Sequence, residues 1–369
     1  MNYKETLNFI AKCLTLSLEE KNRCIIEKQL QSNFVDWDAV VKLSSAHYVF
    51  SALYCNLKRI GFLKYVPNDL ISYMKYITGL NRERNKQIIA QAQDLNNHLL
   101  SNNITPIFLK GTGNLLAGIY EDIAERMVGD IDFIFSKEDY PKVIAILKEY
   151  GYSDVFKYNL PSSIHYRRLK KDNYIAAIEI HHEFLKKKFS NEFNYSFVEK
   201  DSQNINGISV LSYANKLNLS IIANQISDKG YYYKSIALRN AYDVFLLSKK
   251  TSAKNAIMEL DKLIVPLNCF LAACYEVFNK IDTLEYYKNK KTAHYLSLFI
   301  NQFNQTRKIR RKQKRIKTFF LLKYRLKIIF KSIIYKEYQV WVFSKINDKK
   351  WWKKQLSQFK IKFKKFNNK

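Results

Sequence analysis

The sequence predicts an α+β protein, with a small mixed sheet flanked by helices and with helical regions before and after it. Three observations lead to this prediction. Apolar residues up to about residue 100 recur at helical spacing, short β-type runs lie between residues 104 and 181, and helical patterning returns from about residue 210 to 300. Hydrophobic residues make up 47% of the chain whereas Gly (9) and Pro (5) are scarce, which is typical of a globular protein.

The length of the chain predicts more than one module. At 369 residues it exceeds the usual size of a single domain. We predict a helical region over residues 1–100, a core containing the sheet over 101–205, a helical domain over 206–305 and a basic tail over 306–369. No internal repeat and no Pro- or Gly-rich linker marks these boundaries.

The helical regions are predicted from the spacing of their apolar residues. In the first region Ile88, Ala92, Leu95 and Leu99 recur at the i, i+4, i+7, i+11 positions of one helical face. The region after residue 210 shows the same kind of pattern and includes Arg239 and Asp243, one helical turn apart.

The central region predicts the element order β-α-β-α-β-β. Apolar or alternating runs predict strands at residues 104–109, 131–135, 165–169 and 174–181. The segment Lys110 to Gly113 predicts a tight turn before a helix over residues 114–120. Ser136 to Asp139 has the form of a capping box, and the helix after it has an apolar face made by Tyr140, Val143, Ile144 and Leu147.

Asp130 and Asp132 are the first candidates for a functional site. On a strand these two positions point to the same face, while Ile131 points into the core. Adjacent carboxylates repel each other unless a cation lies between them, and Mg²⁺ with oxygen ligands suits such a pair, with Mn²⁺ as an alternative. Glu179, on a neighbouring predicted strand, is the candidate third metal-binding and catalytic acid. The simpler interpretation of an Asp-x-Asp pair is solvated strand residues or turn ligands.

Several motifs follow one another in a characteristic order. They are Leu109-Lys110-Gly111-Thr112, then Tyr120 and Arg126, then Gly129-Asp130-Ile131-Asp132, and later Ile178-Glu179-Ile180-His181. In this order they resemble the uncharacterised bacterial nucleotidyltransferases of the DNA polymerase beta superfamily. Upstream, Ala46-His47-Tyr48-Val49 and the long helix before residue 104 are similar to that family's helical N-terminal region. The resemblance covers roughly residues 40–250 and implies a nucleotidyltransferase fold, with residues 101–205 as the catalytic core.

The resemblance also implies roles for individual residues. Gly111 and Thr112 would meet the triphosphate, since N–H groups at a helix start favour anions. Asp130 and Asp132 would bind Mg²⁺, and Glu179 would be the third acid. Thr112 stands where the family usually has Ser, and the gap from Gly111 to Asp130 is longer than in the compact members of the superfamily.

Three further residues have both a functional and a structural interpretation. Lys110 and Arg126 are the cations placed near phosphate oxygens, and the alternative for each is a structural ion pair. His181 lies on the same strand face as Glu179, so it is a candidate base or ligand-orienting residue, or a hydrogen-bonded structural histidine. The helix with Arg239 and Asp243 resembles one that often flanks this site in the family, while an ordinary i, i+4 ion pair is the simpler interpretation.

These residues, with the family that they resemble, imply a nucleotidyltransferase that binds ATP or another nucleoside triphosphate (NTP). It would transfer a nucleoside monophosphate to an unknown acceptor, which could be a small molecule, a sugar, a protein or RNA, and would release pyrophosphate. The alternative is a non-catalytic protein of the same fold that binds a nucleotide or a nucleic acid and acts as a regulator. A toxin-like enzyme that modifies RNA or protein is a third interpretation.

The cysteines and the N-terminus favour a cytoplasmic protein. The five cysteines contain no C-x-x-C pair, which predicts reduced thiols and neither a zinc site nor a disulfide framework. The first residues lack the pattern of a signal peptide, and no uncharged stretch is long enough to predict a spanning helix.

Charge is concentrated at the C-terminal end. The net charge is +29, and residues 306–369 contain 23 Lys or Arg against two acids, Glu337 and Asp348. This tail could bind an anionic membrane surface, with Trp341, Trp351 and Trp352 at headgroup depth, which would make the protein peripheral at the inner membrane surface. It could instead bind nucleic acid, or form a packed helix pair with a solvated basic face. Apolar residues fall on most of its helical wheel, so a clean amphipathic split is missing.

Overall fold

The computed structural model describes residues 1–32, 34–155, 164–304, 306–346, 348–349 and 351–353. The chain begins with five helices, α1 (Tyr3–Cys13), α2 (Glu20–Gln31), α3 (Trp37–Ala46), α4 (Phe50–Arg59) and α5 (Asn68–Leu100), with a 3₁₀ turn at Phe62–Tyr65. The apolar face predicted for the long helix is confirmed, because Ile88, Ala92, Leu95 and Leu99 of α5 are all fully buried.

The described residues of the central region form seven short strands and three helices. In chain order they are β1 (Ile107–Phe108), α6 (Lys110–Leu116), β2 (Asp130–Ile134), α7 (Tyr140–Glu149), β3 (Ser153–Asp154), β4 (Leu169–Lys170), β5 (Ala177–His181), α8 (Tyr195–Glu199), β6 (Gln203–Ile205) and β7 (Ile208–Val210), with a 3₁₀ turn at Ile123–Glu125.

The seven strands form one mixed sheet in the order β3-β4-β5-β2-β1-β7-β6. The central pair β2 and β5 is parallel, as is the pair β1 and β7, while the other neighbours are antiparallel. The inner face of the central pair consists of Ile131, Phe133, Ile178 and Ile180, all fully buried. The predicted α+β class and the small mixed sheet between helical regions are therefore confirmed.

The third region is helical. It contains α9 (Tyr213–Ile222), α10 (Gly230–Tyr233), α11 (Leu238–Ser248), α12 (Ala253–Ala256), α13 (Ile264–Val277) and α14 (Lys290–Gln302), with a π-helical turn at Ala223–Ser227 and 3₁₀ turns at Ile257–Glu259 and Asp282–Leu284. Its buried apolar residues belong to the same continuous core as those of the N-terminal helices and the sheet. The three regions therefore share one hydrophobic core.

Two helices, α15 (Arg307–Ile334) and α16 (Lys336–Ile346), follow and pack on each other. They form the part of the predicted basic tail that the structure describes, and residues 354–369 lie outside the described ranges. None of the helices in the described residues combines the length and the apolar character needed to cross a bilayer.

The structure corrects several predicted elements. Lys110 to Gly113 is the first turn of α6 rather than a turn before it, because the Gly113 N–H donates to the Leu109 carbonyl at 2.9 Å. Within the described residues, the run at 165–169 forms a His165–His181 bridge, and its last residue begins β4. Strands β3, β6 and β7 were not predicted, and β7 extends the sheet past the predicted boundary at residue 205.

Helix α5 fixes the loop that leads into β2 through buried amide side chains. The Asn81 side chain donates to the Ala124 carbonyl at 2.7 Å, and the Asn85 side chain donates to the carbonyls of Ile123 and Arg126 at 2.6 and 2.7 Å. Because a buried carbonyl without a partner is costly, these contacts hold the loop in one conformation and so determine where β2 begins.

The start of α6 requires a glycine at position 113. A Cβ built on Gly113 would lie 2.5 Å from the Phe108 carbonyl oxygen, a backbone atom of β1. We therefore expect Gly113→Ala to lower the free energy of unfolding by about 1–3 kcal/mol. Gly79→Ala is the matched control, because Gly79 lies within α5 and nothing lies within 4 Å of the added methyl group. This variant should raise the free energy of unfolding by up to about 1 kcal/mol. Urea denaturation followed by circular dichroism measures both changes, and equal effects would contradict the close approach.

Candidate active site

Four ionisable side chains lie on one face of the central strand pair. The parallel register of β2 and β5 places Asp132 beside Glu179 and Ile134 beside His181. Since side chains two residues apart share a face of a strand, Asp130 and Asp132 lie on the same side of the sheet as Glu179 and His181. The structure thus brings together all four residues predicted to be catalytic.

Two cations neutralise most of the charge of the three carboxylates. The Lys110 Nζ donates to Asp132 Oδ1 at 2.7 Å and lies 4.0 Å from Glu179 Oε2. The Arg168 Nη2 joins the other two acids, at 2.9 Å from Asp130 Oδ2 and 2.6 Å from Glu179 Oε1. The repulsion between Asp130 and Asp132 is therefore relieved by side chains of the protein itself.

Lys110 reaches Asp132 from an unusual backbone conformation. Its φ of 50° lies in the left-handed region, which costs a non-glycine residue on the order of 1–3 kcal/mol. Such conformations concentrate at functional sites, and this one lies at the first position of α6, directly beside the carboxylates.

His181 completes the cluster from the end of β5. Its Nε2 lies 2.9 Å from Asp132 Oδ1 and 3.4 Å from Lys110 Nζ. Burial lowers the pKa of His181 below its usual range, an effect that the neighbouring Asp132 opposes only in part. The ring is therefore neutral at pH 7, and one of its nitrogens has a lone pair.

The protonation states of the other groups follow from their surroundings. Burial alone would raise the pKa of Asp132, but the Lys110 charge and the His181 hydrogen bond outweigh it and hold the pKa well below its usual range. Burial raises the pKa of Asp130, and Arg168 offsets this only partly. The pKa of Lys110 rises despite burial because Asp132 lies beside it. Asp132 is thus an anion, and Lys110 a cation, throughout the physiological range.

The donor set fits a divalent cation. One ligand atom each of Asp132, Glu179 and His181 lies within 4.8 Å of the others, which suits metal–ligand distances of about 2.0–2.2 Å. Two carboxylate oxygens and an imidazole nitrogen can ligate Mn²⁺ or Mg²⁺, although magnesium prefers oxygen. Asp130, also predicted as a metal ligand, instead pairs with Arg168 in this arrangement.

Gly111 and Thr112 lie behind the carboxylates. Both are buried, and the Thr112 hydroxyl donates to the Asp130 carbonyl at 3.0 Å, which ties α6 to β2. A Cβ on Gly111 would approach Val128 to 2.9 Å and the Arg126 guanidinium carbon to 3.6 Å. The side chain of Thr112 is therefore used within the protein, and only the backbone N–H groups at the start of α6 are left to contact an anion.

Arg126 forms a structural ion pair, which was the alternative to a phosphate contact. It is 7% exposed, and its Nε and Nη2 both lie 3.1 Å from Asp243 Oδ2. The second oxygen of Asp243 accepts from the Tyr120 hydroxyl at 2.6 Å. This cluster ties the loop before β2 to α11 of the third region.

The prediction of an ion pair between Arg239 and Asp243 is wrong. The two oxygens of the Asp243 carboxylate accept hydrogen bonds from Arg126 and Tyr120 instead. The Arg239 guanidinium lies 5.2 Å from the Tyr48 ring, and its buried Nε has no hydrogen-bond partner among the described residues. Burial lowers the pKa of Arg239, and the nearby charge of Arg126 lowers it further. A buried donor without a partner calls for an explanation such as a bound ligand.

Sequence reasoning missed Arg168, which bridges Asp130 and Glu179. It lies at the end of the run 165–169, which was interpreted only as a strand. The sequence signal that could have identified Arg168 was a cation in the predicted strand before β5. In the structure β4 pairs with β5 at Leu169 and Ile178, and this pairing brings Arg168 close to Glu179.

Comparison with known proteins places the chain in a family. A family model described as an uncharacterised nucleotidyltransferase matches residues 33–277, well over half of the chain. The chain therefore belongs to this family, and nucleotidyl transfer is the general class of activity that the membership supports. No match was found among curated proteins.

Solved structures similar to this chain come from Helicobacter pylori. The crystal structure of JHP933 has 15% sequence identity and a TM-score of 0.30, and the similarity covers 64% of this chain and 97% of that one. A second H. pylori protein, described as a candidate nucleotidyltransferase, has 15% identity and a TM-score of 0.30 and covers 61% of this chain and 94% of that one.

The Arg126–Asp243 pair generates a stability prediction. Asp243→Asn leaves the buried guanidinium without a counter-charge, so we expect the free energy of unfolding to fall by about 3–5 kcal/mol. Glu83→Gln is the control, because it removes an exposed ion pair with Lys86 and should change stability by no more than about 0.5 kcal/mol. Urea unfolding of both variants checks this, and a loss below about 1 kcal/mol for Asp243→Asn would contradict it.

Proposed function

We propose that the protein transfers a nucleoside monophosphate from an NTP to the hydroxyl group of an acceptor, in the manner of the DNA polymerase beta superfamily. One observation carries the proposal. Three carboxylates and a neutral histidine lie on one face of two parallel strands, beside the start of α6. This arrangement suits phosphoryl chemistry, which depends on positioning and on charge neutralisation.

A divalent ion would be held by Asp132, Glu179 and His181, with Asp130 next to them. When bound, such an ion supplies charge neutralisation on the phosphate oxygens and orients the triphosphate. Magnesium is the natural partner of an NTP, and manganese also suits the histidine nitrogen. His181 would ligate the ion through Nε2 in the tautomer that has its proton on Nδ1, 3.4 Å from the Glu183 carbonyl oxygen; in the other tautomer Nε2–H donates to Asp132.

The side chains of the site would prepare the acceptor for attack. Arg168 binds Glu179 through Oε1 and leaves Oε2 directed toward the cluster, 3.9 Å from His181 Nε2. Oε2 can accept the proton of the acceptor hydroxyl, whose oxygen then forms a bond to the α-phosphorus while the bond to pyrophosphate breaks in line. Arg168 also orients Asp130, so it acts as a positioning residue for both acids.

The phosphates would be held by Lys110, by the backbone N–H groups at the start of α6 and by Arg239. The first N–H groups of a helix have no partners within it and favour anions. Burial raises the pKa of Asp228, two residues before α10, and the charges of Arg239 and Lys110 offset this rise only in part. Arg239 is included because its buried Nε has no hydrogen-bond partner among the described residues. We assign Arg239 the phosphate contact that the sequence suggested for Arg126.

The catalytic role of the acids can be tested by mutation. We expect Asp130→Asn with Asp132→Asn to reduce nucleotidyl transfer by at least about a thousandfold, since single electrostatic groups often contribute 10²–10³. The assay incubates the protein with each NTP labelled at the α-phosphate, Mg²⁺ or Mn²⁺ and a cell extract, and measures labelled acceptor and released pyrophosphate. Removal of the metal with EDTA should have the same effect as the double mutation.

The exposed Glu83→Gln is the control for this assay and should keep full activity. If the wild type gives no more labelled acceptor than the double variant, the catalytic proposal fails. Binding of NTP to the wild type without transfer would instead support a regulatory nucleotide-binding protein.

The phosphate contact of Arg239 has a separate test. Arg239→Gln should weaken the binding of a magnesium–NTP complex by about tenfold to a hundredfold, because a hydrogen bond to a charged group contributes about 1.5–3 kcal/mol. Isothermal titration calorimetry measures the dissociation constant. The exposed Lys86→Gln loses the same charge and should bind NTP like the wild type. Unchanged affinity in Arg239→Gln would exclude this residue from the phosphate site.

A further inference from the structure

Helix α15 carries an apolar surface that is exposed to solvent. Phe319, Leu322, Leu326, Phe330 and Ile333, here called the apolar stripe, follow one another at intervals of three or four residues and so lie on one helical face. Their exposed fractions run from 49% to 71%. Contiguous apolar surface of this kind usually marks an interaction site.

Other positions of α15 contact α16 and the body of the protein. Ile328 is 4% exposed, and the Lys331 Nζ donates to the Tyr338 hydroxyl of α16 at 3.1 Å. The Phe320 ring packs edge-on against Tyr232 of α10, with 5.2 Å between ring centroids. The helix is therefore held in a defined orientation without using the apolar stripe.

Basic side chains border the apolar stripe. Lys323, Lys327 and Lys331 line the same shallow groove as its residues, and Arg311 and Arg315 continue this groove beyond Phe319 toward the start of the helix. Helix α15 contains twelve Lys or Arg residues and no Asp or Glu. A partner of this face must therefore offer both apolar surface and negative charge.

We propose that α15 docks the protein on the surface of an anionic lipid bilayer, with the apolar stripe at the boundary between headgroups and acyl chains. Long basic side chains beside an apolar face can extend to lipid phosphates while their stems stay in apolar surroundings. The high positive charge adds attraction to anionic lipids. This docking is independent of the proposed nucleotidyl transfer.

The composition of α15 argues against the two other classes of partner. A second copy of the chain would bring two helices of high positive charge together without a single acid on either of them, which like-charge repulsion disfavours. A nucleic acid would satisfy the basic residues through its phosphates, but it would leave the mainly aliphatic apolar stripe in water. A bilayer with anionic headgroups offers both apolar surface for the apolar stripe and negative charge for the basic residues.

Vesicle flotation with the full-length chain tests the proposal. We expect strong binding to vesicles that contain phosphatidylglycerol, and at least about tenfold weaker partition to vesicles of phosphatidylcholine alone. High salt should weaken the binding. Leu326→Glu with Phe330→Glu should reduce the partition coefficient by about tenfold or more, since each lost apolar side chain contributes to insertion.

The control is a double variant with the same substitutions on the body of the protein. Leu80→Glu with Phe34→Glu changes charge and apolar area in the same way at residues that are 53% and 83% exposed, and it should bind vesicles like the wild type. Because all four positions are exposed, both double variants should fold, which circular dichroism verifies.

Three results would overturn the proposal. The first is vesicle binding that is independent of phosphatidylglycerol or unaffected by Leu326→Glu with Phe330→Glu. The second is a wild-type dimer in light scattering that this double variant converts to a monomer, which would make the apolar stripe a contact between copies. The third is competition by nucleic acid: an RNA or DNA oligonucleotide prevents vesicle binding, and the double variant binds this oligonucleotide as well as the wild type does.

Discussion

The parallel pairing of β2 with β5 is the constraint on which the site depends. This pairing sets Asp132 directly beside Glu179, and a shift of one residue would send one carboxylate into the core. The fully buried inner face, with Ile131 and Ile178 in register, makes such a shift costly because it would expose apolar side chains. The hydrophobic core therefore fixes the geometry of the acids on the opposite face.

Charge compensation allows three carboxylates to lie this close together. Carboxylates this close repel one another, yet Lys110 and Arg168 lie within hydrogen-bonding distance of them. The Lys110 Nζ is near Asp132, Glu179 and His181 at once, so its charge lies among the groups that would ligate a metal. A metal ion bound there must share the Asp132 carboxylate with the ammonium group, which links ion affinity to the conformation of Lys110.

The sequence predicted those features that follow from local patterns. Alternation along residues 131–135 predicted that Asp130 and Asp132 share a face, and the order of motifs pointed to Glu179 and His181. It could not predict contacts that depend on tertiary packing. The pairing of Arg126 with Asp243 spans 117 residues, whereas helical spacing suggested Arg239 as the partner. Strands of two or three residues such as β3, β6 and β7 are too short for a period to be visible.

The same limit explains the ambiguous helical wheel of the basic tail. A wheel shows every apolar residue of a helix together, whereas α15 packs Phe320 against Tyr232, buries Ile328, and exposes the apolar stripe on another side. The Phe320 ring centroid also lies 4.4 Å from the Lys229 ammonium, so this side of α15 adjoins the residue directly before α10. The amphipathic character of α15 therefore becomes visible only once the contacts of Phe320 are known, and those contacts depend on tertiary packing.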